Sequence, residues 1–399
     1  MRFEIRFDEL PAGYSVNAAR SGENVQVRMR DFVSSEDGDK LVSHLEGVSD
    51  SILSLLPVRV MPSLIDHLLA IIRPDKTGTV YINELEFTGL MRPRRSMKKG
   101  EAIFQRDILD IQRMKMGNVK IPNDCGFLMV MSCGWRKGFY YDLVPLHDPG
   151  KPIREYDVEL LLGQFWTYLT FQDLFKIEES TWQELFTQRW FPFIYLGHPL
   201  LKKIIEHARL GWNVDELLPE IRKEVDNILV NAAGVWRTNP YFEPHVHLLE
   251  RAIERYHSED HVSAAAILYP RIEGIMRSYF ASAGVTKEPS APNLTREVVQ
   301  KNADKRHLCC LFLPDKFRDY LNQVYFANFI PGSNPDIGRH SVAHGEARAE
   351  DFTPKSSIIG LLTFYQVALF LSPESKKEEP GEQVEPVATA NELLPATEP

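Results

Sequence analysis

The hydrophobic period changes once along this chain, and that change limits what it can fold into. Before about residue 146 the apolar residues come in alternations and short runs. Phe3-Glu4-Ile5-Arg6-Phe7, residues 25–29 and residues 79–85 alternate and read as strands. Residues 126–133 and 139–146 are apolar runs on either side of Gly134-Trp135-Arg136-Lys137-Gly138, the pattern of a β-hairpin. Residues 52–56 and 63–72 read as short amphipathic helices between these strands, which makes 1–150 an α+β domain. The turn-rich stretch His147-Asp148-Pro149-Gly150-Lys151-Pro152 marks a boundary. Beyond it the spacing is helical over 156–171, 198–210 and 214–229. Thr181-Trp182-Gln183-Glu184 forms a capping box that opens a further helix, and 151–236 reads as a helical middle region.

Arg237-Thr238-Asn239-Pro240 ends that region, and a third follows over 240–372. It predicts helices at 244–257, at 259–283 with a kink at Pro270, at 293–296, and at 314–328. A last one at 354–371 is opened by Thr353-Pro354. Five or so helices in about 130 residues make a closed bundle. The expected fold is therefore an α+β N-terminal region followed by mostly α structure. The final 27 residues, 373–399, hold seven Glu and five Pro, bury almost nothing and predict a disordered tail.

Composition narrows the function classes. A formal net charge of -9 argues against a protein that coats nucleic acid, while leaving room for a local RNA site built from a few cations. The basic cluster Arg92-Pro93-Arg94-Arg95-Ser96-Met97-Lys98-Lys99 has no interleaved aromatics and reads as a solvated loop. Phe165, Trp166, Tyr168, Phe171, Phe175, Trp182, Phe186 and Trp190 recur at helical spacing and read as core. Lys202, Lys203 and Arg209 read as a solvated helix face. The four cysteines, Cys125, Cys133, Cys309 and Cys310, form no disulfide framework and read as reduced buried thiols. No apolar run reads as a membrane span and Met1 to Arg6 lacks a signal-peptide core, so the expected compartment is the cytoplasm.

Chemistry concentrates late, in Asn334-Pro335-Asp336-Ile337-Gly338-Arg339-His340-Ser341-Val342-Ala343-His344-Gly345. Asn334 can cap a helix with Pro335 in its first turn, and Gly345 offers the left-handed residue that stops it. His340 and His344 are four apart and share a face, with Arg339 beside them. A permanent cation and two groups that titrate near neutrality suit a phosphate. Arg339-x4-His344, with a polar residue after the arginine, resembles the Arg-x4–6-His signature of the HEPN superfamily. Those are small helical bundles, many of them metal-independent ribonucleases of bacterial toxin, antiviral and RNA-processing systems. Upstream, residues 260–277 are similar to the first long helix of such domains, which carries an acidic residue facing the motif. The resemblance covers roughly 240–372, and the first two thirds of the chain match nothing comparable.

What the resemblance implies is cleavage of RNA by attack of the 2′-hydroxyl, without metal or other cofactor. His344 is then the acid or base, Arg339 stabilises phosphate charge, and His340 orients substrate or carries the second proton. Glu273 holds a histidine tautomer or pairs with Arg339. The family often has Asn or Asp where His340 stands. It implies a homodimer with two motif copies across the interface, a role as a stress or phage-defence effector, and an N-terminal portion that senses a trigger or restrains activity, with a regulatory protein partner. The alternative is a non-catalytic RNA- or protein-binding and dimerisation module. A zinc site from His340, His344 and His245-Val246-His247 stands third, because the Glu of a His-Glu-x-x-His arrangement is replaced by Ser341. His257 and His261 flank an acidic turn and read as exposed.

Overall fold

The computed structural model describes residues 1–11, 15–16, 19–147, 154–230, 236–237, 239–301, 309–327 and 338–372. The expected boundary at 148–152, the cap at Asn334-Pro335 and the tail at 373–399 lie outside these residues. The described chain divides into two compact units: residues 1–90 with 111–172, and residues 91–110 with 173–372.

The first unit is built on a six-stranded antiparallel sheet. In chain order its strands are β1 (Arg2–Arg6), β2 (Ser15–Val16), β3 (Val27–Arg28), β4 (Arg30–Ser34), β5 (Leu68–Ile72) and β6 (Thr77–Ile82). β7 (Phe87–Pro93), β8 (Ile108–Met116), β9 (Gly126–Cys133) and β10 (Arg136–Asp142) follow. The sheet order is β1-β6-β5-β9-β10-β4, and β2-β3 and β7-β8 form separate two-stranded ladders. The expected hairpin is β9-β10, in register from Cys133↔Arg136, so its turn is only Gly134-Trp135, with Gly134 at φ 59°. Arg136 and Lys137 therefore lie in the strand and not in the turn.

The expected helix at 63–72 is corrected. Pro62–Leu64 is a single 3-10 turn and Leu68–Ile72 is the strand β5, with no exposed residue. Leu68, Ala70 and Ile72 pack with Leu41 and Val48 of α1 (Asp39–Ser51). Leu69 and Ile71 pack with Leu162, Phe165 and Leu169 of α2 (Val158–Thr170). A strand covered on both faces loses its alternation and becomes a continuous apolar run, which periodicity cannot tell from a buried helix. The stretch at 52–56 likewise holds only a 3-10 turn, Leu53–Leu55.

The second unit is helical: α3 (Glu179–Thr187), α4 (His198–Arg209), α5 (Leu218–Leu229), α6 (Val246–His257), α7 (His261–Ser282), α8 (Ala291–Thr295), α9 (Pro314–Tyr320), α10 (Arg339–Ala343) and α11 (Pro354–Leu371). The Thr181 capping box is not used. α3 begins two residues earlier, and Thr181 is buried inside it. Trp182, Phe186 and Trp190 are core here, as expected, and Phe165 and Phe171 are core in the first unit. Lys202, Lys203 and Arg209 are half or more exposed, in line with a solvated face.

α11 is the axis of this unit. Each residue from Ser356 to Leu371 is buried. At Gly360 a Cβ would stand 3.2 Å from Leu268 and Tyr269 of α7, so the missing side chain sets how closely the two helices approach. Polar bonds pin the rest: Gln366 Nε2 donates to the Phe312 carbonyl at 3.1 Å, and Asn239 Nδ2 donates to the Leu371 carbonyl at 3.0 Å. By length and composition α11 is apolar enough to cross a membrane, against the expectation that no run is. Yet 89% of that window is buried inside the protein, as in a core helix. None of the four cysteines is in a disulfide; Cys125 and Cys310 are buried, Cys133 and Cys309 only half-buried.

Candidate functional site

α7 carries the acid. Asp260 caps it by accepting from the Ser263 N–H at 3.0 Å, and the helix runs through Pro270 to Ser282. That frame holds Glu273 on a buried face, its side chain 7% exposed. One turn on, Arg277 reaches back to the Glu273 carboxylate at 2.7 Å, the i,i+4 geometry of a helical ion pair.

The short helix α10 carries the base-rich end. It opens at Arg339, with Gly338 in extended backbone as its cap. The Gly338 N–H donates to Ser341 Oγ at 2.9 Å, and Ser341 Oγ donates back to the Gly338 carbonyl at 3.2 Å. A Cβ on Gly338 would stand 3.2 Å from the Arg189 guanidinium and 3.4 Å from two carbonyls, so a side chain here would press on Arg189. Gly345 stops the helix at φ 71°, as its position predicts, and the Glu346 N–H donates to the Ser341 carbonyl at 2.9 Å.

These two elements bring all four expected residues together. Arg339 Nε donates to Glu273 Oε2. Arg339 Nη1 lies 3.3 Å from His340 Nδ1. The His340 and His344 rings stack at 5.7 Å between centroids, nearly parallel at 11°. Exposure rises along this series, from buried Glu273 through Arg339 (22% of its side chain) and half-buried His340 to exposed His344. Arg339 Nη2 has no partner among the described residues.

The electrostatics favour a neutral His340. Burial, then the Arg339 cation and His344, push its imidazole below the ordinary 6.5, outweighing Glu273 and Glu346. Beneath the site Tyr325 is fully buried and donates to the Tyr269 carbonyl; burial and the Glu273 charge push its phenol well up, so it stays neutral.

The zinc constellation does not assemble. Among the described residues no group of three or more His, Cys, Asp or Glu could hold a metal ion. His257 is exposed as expected, but His261 is not in a solvated loop: its Nδ1 is 2.8 Å from the buried Ser357 Oγ. Two contributors were missed in the sequence. Arg277 carried a signal, the Glu-x3-Arg spacing from Glu273; Arg189 carried none, since it reaches Gly338 only through the tertiary fold.

The site thus joins a partly committed guanidinium, a depressed imidazole and an exposed imidazole on the surface of a helical unit. No known family profile, curated protein or solved structure matches this chain.

Proposed function

We propose that this group is the centre of a HEPN-like, metal-independent endoribonuclease. The observation that carries the reading is the unbroken series Glu273–Arg339–His340–His344 across α7 and α10. Neutral His340 takes the proton of a ribose 2′-hydroxyl, whose oxygen attacks the adjacent phosphorus. Arg339, aimed by Glu273, turns its Nη2 toward the charge that accumulates on the phosphoryl oxygens. His344 in its protonated form gives a proton to the leaving 5′-oxygen. The P–O2′ bond forms, the P–O5′ bond breaks, and the products are a 2′,3′-cyclic phosphate and a 5′-hydroxyl. As in such proteins, a homodimer would bring two copies of α10 to one cleft, and residues before the bundle would sense a trigger, restrain the activity, or dock a regulatory protein. A stress or phage-defence role fits that arrangement.

One observation favours a second reading, a non-catalytic RNA- or protein-binding module. Arg339 is already neutralised by Glu273, as in a brace between helices. The two readings separate when purified protein meets total RNA in EDTA, beside Arg339→Ala and His344→Ala. Cleavage that survives the chelator and is lost in both variants supports the enzyme; intact RNA throughout supports the module.

A further inference from the structure

The basic cluster at 92–99 ends in a loop with Lys98 and Lys99 exposed, as its sequence suggests, but it is not solvated throughout. Arg94 turns inward to a cavity of about 470 Å³ within the helical unit, in the usual range of roughly 300–1,000 Å³ for small-ligand sites. Its walls include Arg94, Glu224, Asn227, Tyr195, Trp236 and Tyr365.

Three features mark this cavity as a built site. The first is the way Arg94 is spent. Its Nη1 alone makes both bonds, to the Tyr195 carbonyl at 3.0 Å and to Glu224 Oε1. The guanidinium lies against Gly197 at φ 78°, where a Cβ would be 3.3 Å from Nη1. The Nε–H is buried without a partner, and Nη2 has none among the described residues either. That leaves the side-on edge of the fork, the edge that grips a carboxylate or phosphate with two parallel bonds.

The second feature is Tyr365, 4% exposed, whose Oη is buried and has no partner. Burial holds its phenol in the protonated, donating form. A buried donor left unmade is costly, so unmet donors lining one cavity point to an acceptor that belongs there. The third is the aromatic wall: Tyr365 packs on Tyr195 at 5.1 Å and on Trp236 at 5.4 Å between ring centroids. The lining charges are Arg94 and Arg95 against Glu224, a positive balance.

We propose that this cavity binds a small planar aromatic molecule bearing an oxyanion. The ring lies along Trp236, Tyr195 and Tyr365, and the oxyanion accepts from the free edge of Arg94 and the Tyr365 hydroxyl. A nucleoside phosphate and an aromatic carboxylate share this chemistry. Neither depends on the Arg339 site.

Calorimetric titration of the full chain with guanosine 5′-monophosphate, guanosine and indole-3-acetate tests it. The expected result is saturable binding of at least one anionic probe and none of guanosine. Binding of the monophosphate alone assigns a phosphate ligand, and binding of the acetate alone assigns a carboxylate. Tyr365→Phe keeps the ring and weakens binding about tenfold, roughly one hydrogen bond. Arg94→Lys keeps the charge, loses the fork and weakens it further, while Arg339→Ala leaves it unchanged. No binding of either anion with a Kd of about 1 mM or tighter overturns the proposal. So does an affinity indifferent to Tyr365→Phe.

Discussion

Each unit contains an arginine–carboxylate pair below its surface, and the two are built to opposite ends. In the sheet unit Arg154 and Asp142 are sealed, at 0% and 3% side-chain exposure. Arg154 spends all three nitrogens: Nε on Asp142 at 3.1 Å, Nη1 on the Pro122 carbonyl at 3.2 Å and Nη2 on the Cys125 carbonyl at 2.6 Å. Its plane also lies over the Phe127 ring. In the helical unit Arg339 meets Glu273 and touches a histidine, but its Nη2 has no partner among the described residues. A saturated pair braces a fold. A pair with one edge left over, beside groups that titrate, can meet something from outside.

Stability separates the two pairs. Asp142→Ala strands a fully buried guanidinium and should cost about 3–5 kcal/mol, read as a drop in the urea midpoint. Glu273→Ala leaves Arg339 free to turn toward water, so the loss should be about 1–3 kcal/mol. Equal losses would break the comparison and make Arg339 a brace like Arg154.

Acid sharpens the contrast. The folded-state pKa of His340 lies below 6.5, so above 6.5 both states are neutral and the group contributes nothing to the pH dependence. As pH falls below 6.5 the unfolded imidazole binds its proton first, and stability declines until the folded value is passed. His67, His245 and His261 share this direction. His340→Gln should therefore show a smaller loss of urea midpoint between neutral and mildly acid solution than the parent chain. An unchanged pH slope would mean that His340 is not held neutral.

The smallest effect belongs to an ordinary surface pair. Lys203 and Glu220 meet at 2.8 Å with both side chains about half exposed, and Lys203→Ala should move stability by less than about 0.5 kcal/mol.

What could be read ahead of the structure follows from the same physics. Arg339, His340 and His344 were legible because spacing on one helix and a turn at Gly345 are local properties. The β9-β10 hairpin was legible for the same reason. The strand β5 was not, because burial on both faces erased its period. The helix α1 and the β7-β8 ladder were missed outright. Arg94 was misread, since five basic residues in eight look solvated until Glu224, far along the chain, supplies the partner that draws one of them in. The pairing of Glu273 with Arg339 was an expectation from the resemblance; its distance in sequence, 66 residues, put it beyond any pattern of spacing.

The claim that Arg339 and its histidines act on a phosphodiester is tested most directly with one RNA and its all-2′-deoxy counterpart, each incubated with the chain in EDTA. The RNA alone should be cut, leaving 2′,3′-cyclic phosphate ends, and Arg339→Ala should abolish the cut. Equal cleavage of both strands, or cutting that persists in Arg339→Ala, would contradict it.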